Sequence, residues 1–138
     1  MNPDTLCPCG SAMPYSACCG RFLDHAQRPE TAEALMRSRY SAYVRARADY
    51  LLRTWHETTR PDRLDFRDAE NITWLGLKII RTEAGGPNDM QGVVEFVTRH
   101  KIGGRAHRIV ETSRFVKENG CWFYLDGMLT QERRGGKP

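Results

Sequence analysis

The sequence predicts an α+β chain: a short N-terminal cysteine knuckle, then helices packed on one face of a curved four-stranded antiparallel sheet. Three observations carry that prediction. Four of the five cysteines fall within residues 7–19, apolar residues recur with a helical period from Ala32 to Val44, and β-branched and aromatic runs alternate with glycine turns after residue 70.

The knuckle comes first. Cys7-Pro8-Cys9 and Cys18-Cys19 stand eight residues apart, as C-x-C-x8-C-C. Thiolates at this spacing suit one tetrahedral Zn2+ with all four positions filled by sulfur, a closed structural site with no vertex left for a reacting water. Pro8 stiffens the turn, Gly10 tolerates a positive φ, and Ser11 and Ser16 are local hydrogen-bond donors. The competing reading is a pair of disulfides. It is disfavoured because cysteines adjacent or one apart close small, strained rings. Residues 1–6 contain no basic n-region and no apolar run, so no secretory signal is expected. A cytoplasmic location follows as an expectation, and with it reduced thiols. Cys121 stands alone and reads as a small apolar strand residue.

The 138 residues support one core-bearing domain, expected over 21–130, beside a knuckle at 1–20 and a mobile basic tail at 131–138. The knuckle is too short to fold without its metal, whereas the body carries its own core and is expected to survive metal loss. Mean hydropathy is −0.61 and no stretch reaches the length of a membrane-spanning helix, so membrane insertion is not expected. The formal net charge is +4, but Arg133, Arg134 and Lys137 against Glu132 place half of it in the tail. No dense basic stripe remains, and nucleic acid is not an expected partner.

A connector at 21–29 places Phe22 and Leu23 against the body. A helix should begin near Pro29, with Glu30 and Glu33 favourable to its N-terminal dipole and a stripe of Ala32, Leu35, Met36, Tyr40, Tyr43 and Val44. Arg39 lies inside that stripe and Arg37 off it. Two readings of Arg39 stand: a buried cation lining a pocket with an acidic partner, or an arginine snorkelling its head to water. A second helix starts at Asp49 as N-cap, carries Tyr50, Leu51, Leu52 and Trp55, and ends near His56-Glu57. Residues 58–70 read as a polar loop.

Strands are expected over 71–82, 91–102, 105–118 and 121–129, with Gly103-Gly104 and Asn119-Gly120 as two-residue hairpin turns. Pairing Ile102 with Arg105 sets Phe96 opposite Glu111, Val94 opposite Ser113 and His100 opposite His107. Pairing Glu118 with Cys121 sets Phe115 opposite Tyr124 and Ser113 opposite Asp126. One face then collects Phe96, Ile109, Phe115, Tyr124 and Met128 around Glu111, Ser113 and Asp126, a polar-aromatic mix suited to a cavity lining. A bulge would shift this register. The plainer reading is that Glu111 and Asp126 accept hydrogen bonds from Arg39, Ser113 or Arg114 in a satisfied network.

Cys-Pro-Cys-Gly-Ser followed by Cys-Cys resembles the SEC-C zinc motif, which also occurs at the C-terminus of the bacterial preprotein translocase ATPase. The body is similar to the YchJ family of bacterial proteins. That resemblance is carried by the runs at 35–40, 48–51, 54–56, 74–77 and 94–97, by Glu111-x-Ser113-Arg114-Phe115, and by Trp122-Phe123-Tyr124-x-Asp126-Gly127. It implies a nuclear-transport-factor-two-like body, cystatin-like in outline: a cone of helices against a bent sheet. It also implies a knuckle that binds zinc and contacts partners. Two departures stand out. The segment Ala12–Ala17 has none of the lysines SEC-C copies often carry, so Met13 and Tyr15 offer an apolar contact instead, and the final residues show no second cysteine set.

Two functions are therefore expected. The first is an interaction or adaptor module with a structural Zn2+ on Cys7, Cys9, Cys18 and Cys19 and a protein partner at the knuckle. The alternative is a small-molecule or isomerase- or hydrolase-like pocket in the cone, drawing on Arg39, Trp55, His56, Trp74, Glu111, Arg114, Tyr124 and Asp126. No residue forms a recognised catalytic motif, and catalysis is not the expected role.

Overall fold

The computed structural model describes residues 5–64, 66 and 71–134, the last five as backbone. A 3-10 turn at Tyr15–Ala17 and a single helical turn, α1 (Gly20–Leu23), complete the knuckle. Helix α2 (Ala32–Val44) and the short α3 (Ala48–Arg53) follow. Four antiparallel strands complete the chain: β1 (Ile72–Ala84), β2 (Gln91–Ile102), β3 (Arg105–Glu118) and β4 (Cys121–Arg134). β4 thus runs through four residues of the segment expected as tail, and 135–138 lie outside the described residues. Part of the expected polar loop, 67–70, lies outside them too.

Helix α2 starts later than Pro29 indicates. Thr31 takes the extended N-cap conformation and its Oγ1 accepts from Ala34 N at 3.0 Å, so the cap hydroxyl, not the proline, sets the first turn. Helix α3 stops at Arg53 because the backbone beyond it is claimed by the sheet. Tyr124 N donates to Thr54 O (2.8 Å) and His56 N donates to Tyr124 O (2.7 Å), a parallel bridge between Trp55 and Tyr124.

The hairpin turns set register as expected. Ile102 pairs with Arg105, Phe96 with Glu111, Val94 with Ser113 and His100 with His107. Glu118 pairs with Cys121 and Phe115 with Tyr124, across an Asn119-Gly120 turn with φ of +53° and +79° that suits asparagine and glycine. Beyond Tyr124 the ladder slips. Arg114 pairs with Asp126 and Ser113 with Gly127, leaving Leu125 as the extra residue of a bulge. The slip falls where residues 54–59 cross β4: Thr59 Oγ1 donates to Leu125 O at 2.5 Å beside the Tyr124 bridge. Asp126 and Met128 therefore leave the face of Glu111, and Met128 is 69% exposed.

The sheet is an open meander of order β1-β2-β3-β4, and this corrects the expected cone. Every strand pairs only with its sequence neighbours and the ends of the order do not meet. Length gives the reason. α2 at 13 residues spans about 20 Å, while strands of 12 to 14 residues span about 40–46 Å. A helical layer that short covers part of the sheet and cannot serve as the centre of a closed cone. The core lies between α2, with Leu35, Met36 and Tyr40, and the inner sheet face, with Val94, Phe96, Phe115 and Trp122. All four knuckle cysteines belong to the same buried cluster. Among the described residues no helix is long and apolar enough to cross a membrane.

Candidate functional site

The two cysteine pairs meet because the loop between them folds back on itself. Cys7 N donates to Met13 O (2.8 Å), Leu6 bridges Pro14, and Cys18 N donates to Tyr15 O, closing the 3-10 turn that carries Cys18-Cys19 inward. The four Sγ atoms lie within 4.8 Å of one another, and Cys9 and Cys18 sulfurs are 3.6 Å apart. A tetrahedral zinc–thiolate site separates its sulfurs by about 3.8 Å, given a metal–sulfur bond of about 2.3 Å. All four residues are buried and sulfur is the only donor type, so the residues fit a divalent ion that favours thiolate.

Their protonation is unequal even without metal. The Cys9 thiol is held far below the usual range, first by the S–H donated from Cys19 and then by that from Cys7. Cys19 is pushed up, first by its own hydrogen bond with Cys7 and then by that with Cys9, and Cys18 is raised by burial. Ser11 Oγ donates to Cys18 Sγ at 3.1 Å, as its place in the turn leads one to expect. Helix α2 supplies the rest. Arg37 Nη1 donates to Cys9 O at 2.9 Å and stands 3.8 Å from Cys9 Sγ, while its Nε is held by Glu33 at 3.0 Å. Ser41 Oγ lies 3.5 Å from Cys7 Sγ. Sequence reasoning set Arg37 aside as lying off the apolar stripe. That position is what lets it face the knuckle, and its i, i+4 spacing from Glu33 was the available signal. It supplies the cation missing between the cysteine pairs.

The other predicted residues do not form one site. Arg39, Trp74, Glu111 and Tyr124 line a cavity of about 200 Å³ between α2 and the sheet, with Met36, Tyr43, Ile109 and Ser113 among its other walls. Arg39 is buried, at 3% exposed. Its Nη1 donates to Leu51 O and Thr54 Oγ1, both at 2.8 Å, and its guanidinium lies over the rings of Tyr124 (4.6 Å) and Trp55 (5.0 Å). Burial lowers its pKa, and no carboxylate forms an ion pair with it among the described residues. Burial raises the Glu111 carboxyl above its usual range, opposed by the hydroxyl of Ser113 donating to Oε2 at 3.1 Å. Tyr124 is pushed up to about 12, again by burial.

Trp55 stands behind this cavity, against Arg39 and Tyr124, and does not line it. His56 lies elsewhere, with Nε2 at 2.8 Å from Glu118 and Nδ1 accepting from Thr58 N, a satisfied structural histidine. Arg114 and Asp126 form an exposed bidentate ion pair on the opposite face from Glu111. That placement follows from the bulge at Leu125.

Comparison with known proteins agrees with this arrangement. Residues 5–21 match the SEC-C motif, and residues 31–127 match the family described as YchJ, middle NTF2-like domain. A UPF0225 protein of Chromobacterium violaceum is 53% identical over 125 residues, covering 89% of this chain and 92% of that protein. A UPF0225 protein of Xanthomonas campestris is 49% identical over 126 residues, covering 91% of this chain and 95% of that one. Among solved structures, the solution structure of a SEC-C motif containing protein from Rhodopseudomonas palustris superposes with a TM-score of 0.80 at 32% identity, over 92% of this chain and all of that one. The crystal structure of a SEC-C motif containing protein from Psychrobacter arcticus gives 0.74 at 27% identity, over 94% and 85%. With a family match over most of its length and relatives near half-identical throughout, the chain belongs to the UPF0225/YchJ family.

Proposed function

We propose that this chain is an interaction module braced by one structural Zn2+ on Cys7, Cys9, Cys18 and Cys19, acting in the cytoplasm, where its thiols stay reduced. The observation that supports it is the buried, sulfur-only cluster joined to α2 through Ser41 and Arg37. Four thiolates fill a tetrahedron, so the metal stiffens a surface and drives no reaction. The surface it stiffens is apolar: Leu6 is 61% and Met13 47% exposed on the two segments of the knuckle that the Leu6–Pro14 bridge brings together. Tyr15, the other apolar residue of that segment, is buried beneath Arg45 and is unavailable to a partner. The partner is a protein presenting an apolar contact, and neither nucleic acid nor membrane is needed.

Elemental analysis of purified protein should give one zinc per chain, and cobalt substitution should give the absorption of a tetrahedral tetrathiolate site. Met13→Glu should keep the metal but lose the protein captured by wild type, and chelator should abolish that capture. Recovery of the four thiols as disulfides, or a cobalt spectrum with a water ligand, would sink the reading. A second reading, that the body also holds a small molecule, is favoured by one observation: the cavity beside α2 contains a buried guanidinium with no carboxylate ion pair among the described residues.

A further inference from the structure

We infer that the cavity between α2 and the sheet is a binding site for a small monocarboxylic acid with a flat apolar body, its carboxylate placed against Arg39 and its body among Tyr43, Trp74, Phe96 and Ile109. The inference deepens the small-molecule reading and is independent of the metal.

Charge comes first. A buried guanidinium is costly to desolvate and calls for an anion. Arg39 is 3% exposed, and its Nη1 is fixed from behind by Leu51 O and Thr54 Oγ1. An arginine has five N–H groups, so these two bonds, with Tyr43 close by, leave donor capacity beyond them. Its guanidinium lies over two neutral rings, Trp55 and Tyr124, which favour the cation without neutralising it. Among the described residues the carboxylate lining the same cavity is Glu111; its Oε2 accepts from Ser113, and it attracts Arg39 through the cavity without forming an ion pair with it. The cation is thus held in place, desolvated and, among the described residues, without a carboxylate ion pair, a configuration a ligand carboxylate completes.

Size and shape narrow the class. A volume of about 200 Å³ matches about seven waters at about 30 Å³ each, room for a single ring or a short branched chain and too little for a nucleotide. Tyr40 and Trp74 meet edge to face with centroids 5.7 Å apart, and Tyr43 stands 6.1 Å from Trp74. Together with Phe96 and Ile109 these walls suit a planar apolar body. The hydroxyls of Ser113 and Tyr124 and the Glu111 carboxyl, which line the same cavity, would meet a second polar group on the acid.

Benzoate is the probe, titrated into zinc-loaded full-length protein by calorimetry and by amide-shift mapping, beside its uncharged isostere benzamide. Benzoate should bind, move resonances of α2 and β3, and exceed benzamide by about tenfold or more, the difference expected of a charge-assisted hydrogen bond. Ile109→Trp fills the cavity from a half-buried strand position and should abolish binding without loss of the folded spectrum. Glu111→Gln removes the competing carboxylate and should tighten benzoate. Equal affinity for the two probes would overturn the carboxylic-acid assignment while leaving a small-molecule pocket in place. Binding of neither, or binding indifferent to Ile109→Trp, would overturn both. Because Arg39→Met is prone to misfold, the comparison of isosteres carries the charge test in its place.

Discussion

Gly127 lies directly beneath the Glu111 carboxylate. A Cβ built there would fall 2.5 Å from Glu111 Oε2, 2.8 Å from Ser113 Oγ and 3.1 Å from the Tyr124 hydroxyl. Glu111 is flexible and can give way, whereas Ser113 is fully buried, so Gly127→Ala should cost about 1–2 kcal/mol, chiefly by pushing Glu111 into the cavity. Gly92 is the sharper case. Its added methyl would meet the Gly85 backbone at 2.6 Å and Ala32 Cβ at 3.0 Å, where the β1–β2 turn closes on the start of α2. Backbone cannot swing aside, and Gly92→Ala should cost about 3 kcal/mol. Urea midpoints of the two variants in the reverse order would refute this packing. Glu111 gives a pH prediction with a definite sign. Its folded pKa is raised by burial, so its contribution to stability is full below the unfolded value and is lost as pH rises through the folded one. Glu111→Gln should therefore raise the melting temperature at about pH 8 and change it little at about pH 4. A uniform shift at both would show that the carboxyl is not desolvated.

Among the elements, α2 joins the knuckle through Arg37 and Ser41, and the cavity and the sheet through a shared face that includes Met36 and Tyr40. Arg37→Met should leave the helix intact yet weaken the metal, as measured by chelator competition, by about 10–100-fold, the range for losing an outer partner of a metal ligand. Unchanged affinity would mean that the guanidinium 3.8 Å from Cys9 Sγ does not offset thiolate charge. What the sequence makes legible differs along the chain for a physical reason. The hairpins were readable because Gly103-Gly104 and Asn119-Gly120 fix strand pairing locally, and both registers follow from the turn outward. The bulge at Leu125 was not, since it arises where residues 54–59, distant in sequence, dock on β4. That one slip carries Asp126 from beside Ser113 to Arg114, and so removes it from the predicted site. Arg37 escaped for the same kind of reason. The cysteine spacing announces a cluster that fits a metal, but the angle at which the knuckle leans on α2 is a tertiary fact. Arg39, by contrast, was legible: a charge within an apolar stripe is unusual enough to mark the position.

At the scale of the molecule, knuckle and body share one core. The cysteines cluster with Phe22, Leu23, Leu35 and Met36, and Arg37 and Ser41 reach across the junction. This changes the expected response to metal loss. Cys18→Ser should lower the melting temperature of the whole unit in one transition, with the sheet's amide dispersion degraded as well, rather than releasing residues 1–20 from an intact body. Calorimetry resolving two separate transitions would show that the shared core does not couple them.

The segment that begins at Glu57, exposed at 57–60 and again at Asp62 and Arg63, divides the chain in a particular way. Among the described residues, the knuckle with its four-cysteine cluster and the three helices precede it, and the four strands follow it. Neither piece buries its apolar face without the other, yet α2 and the Thr54–Tyr124 backbone bonds bind them together independently of the connecting peptide. A single tryptic nick after Arg63 should accordingly yield two polypeptides that co-elute under native conditions and separate in denaturant. Separately expressed, each should be insoluble or unstructured, and mixing them should restore the fold by fragment complementation.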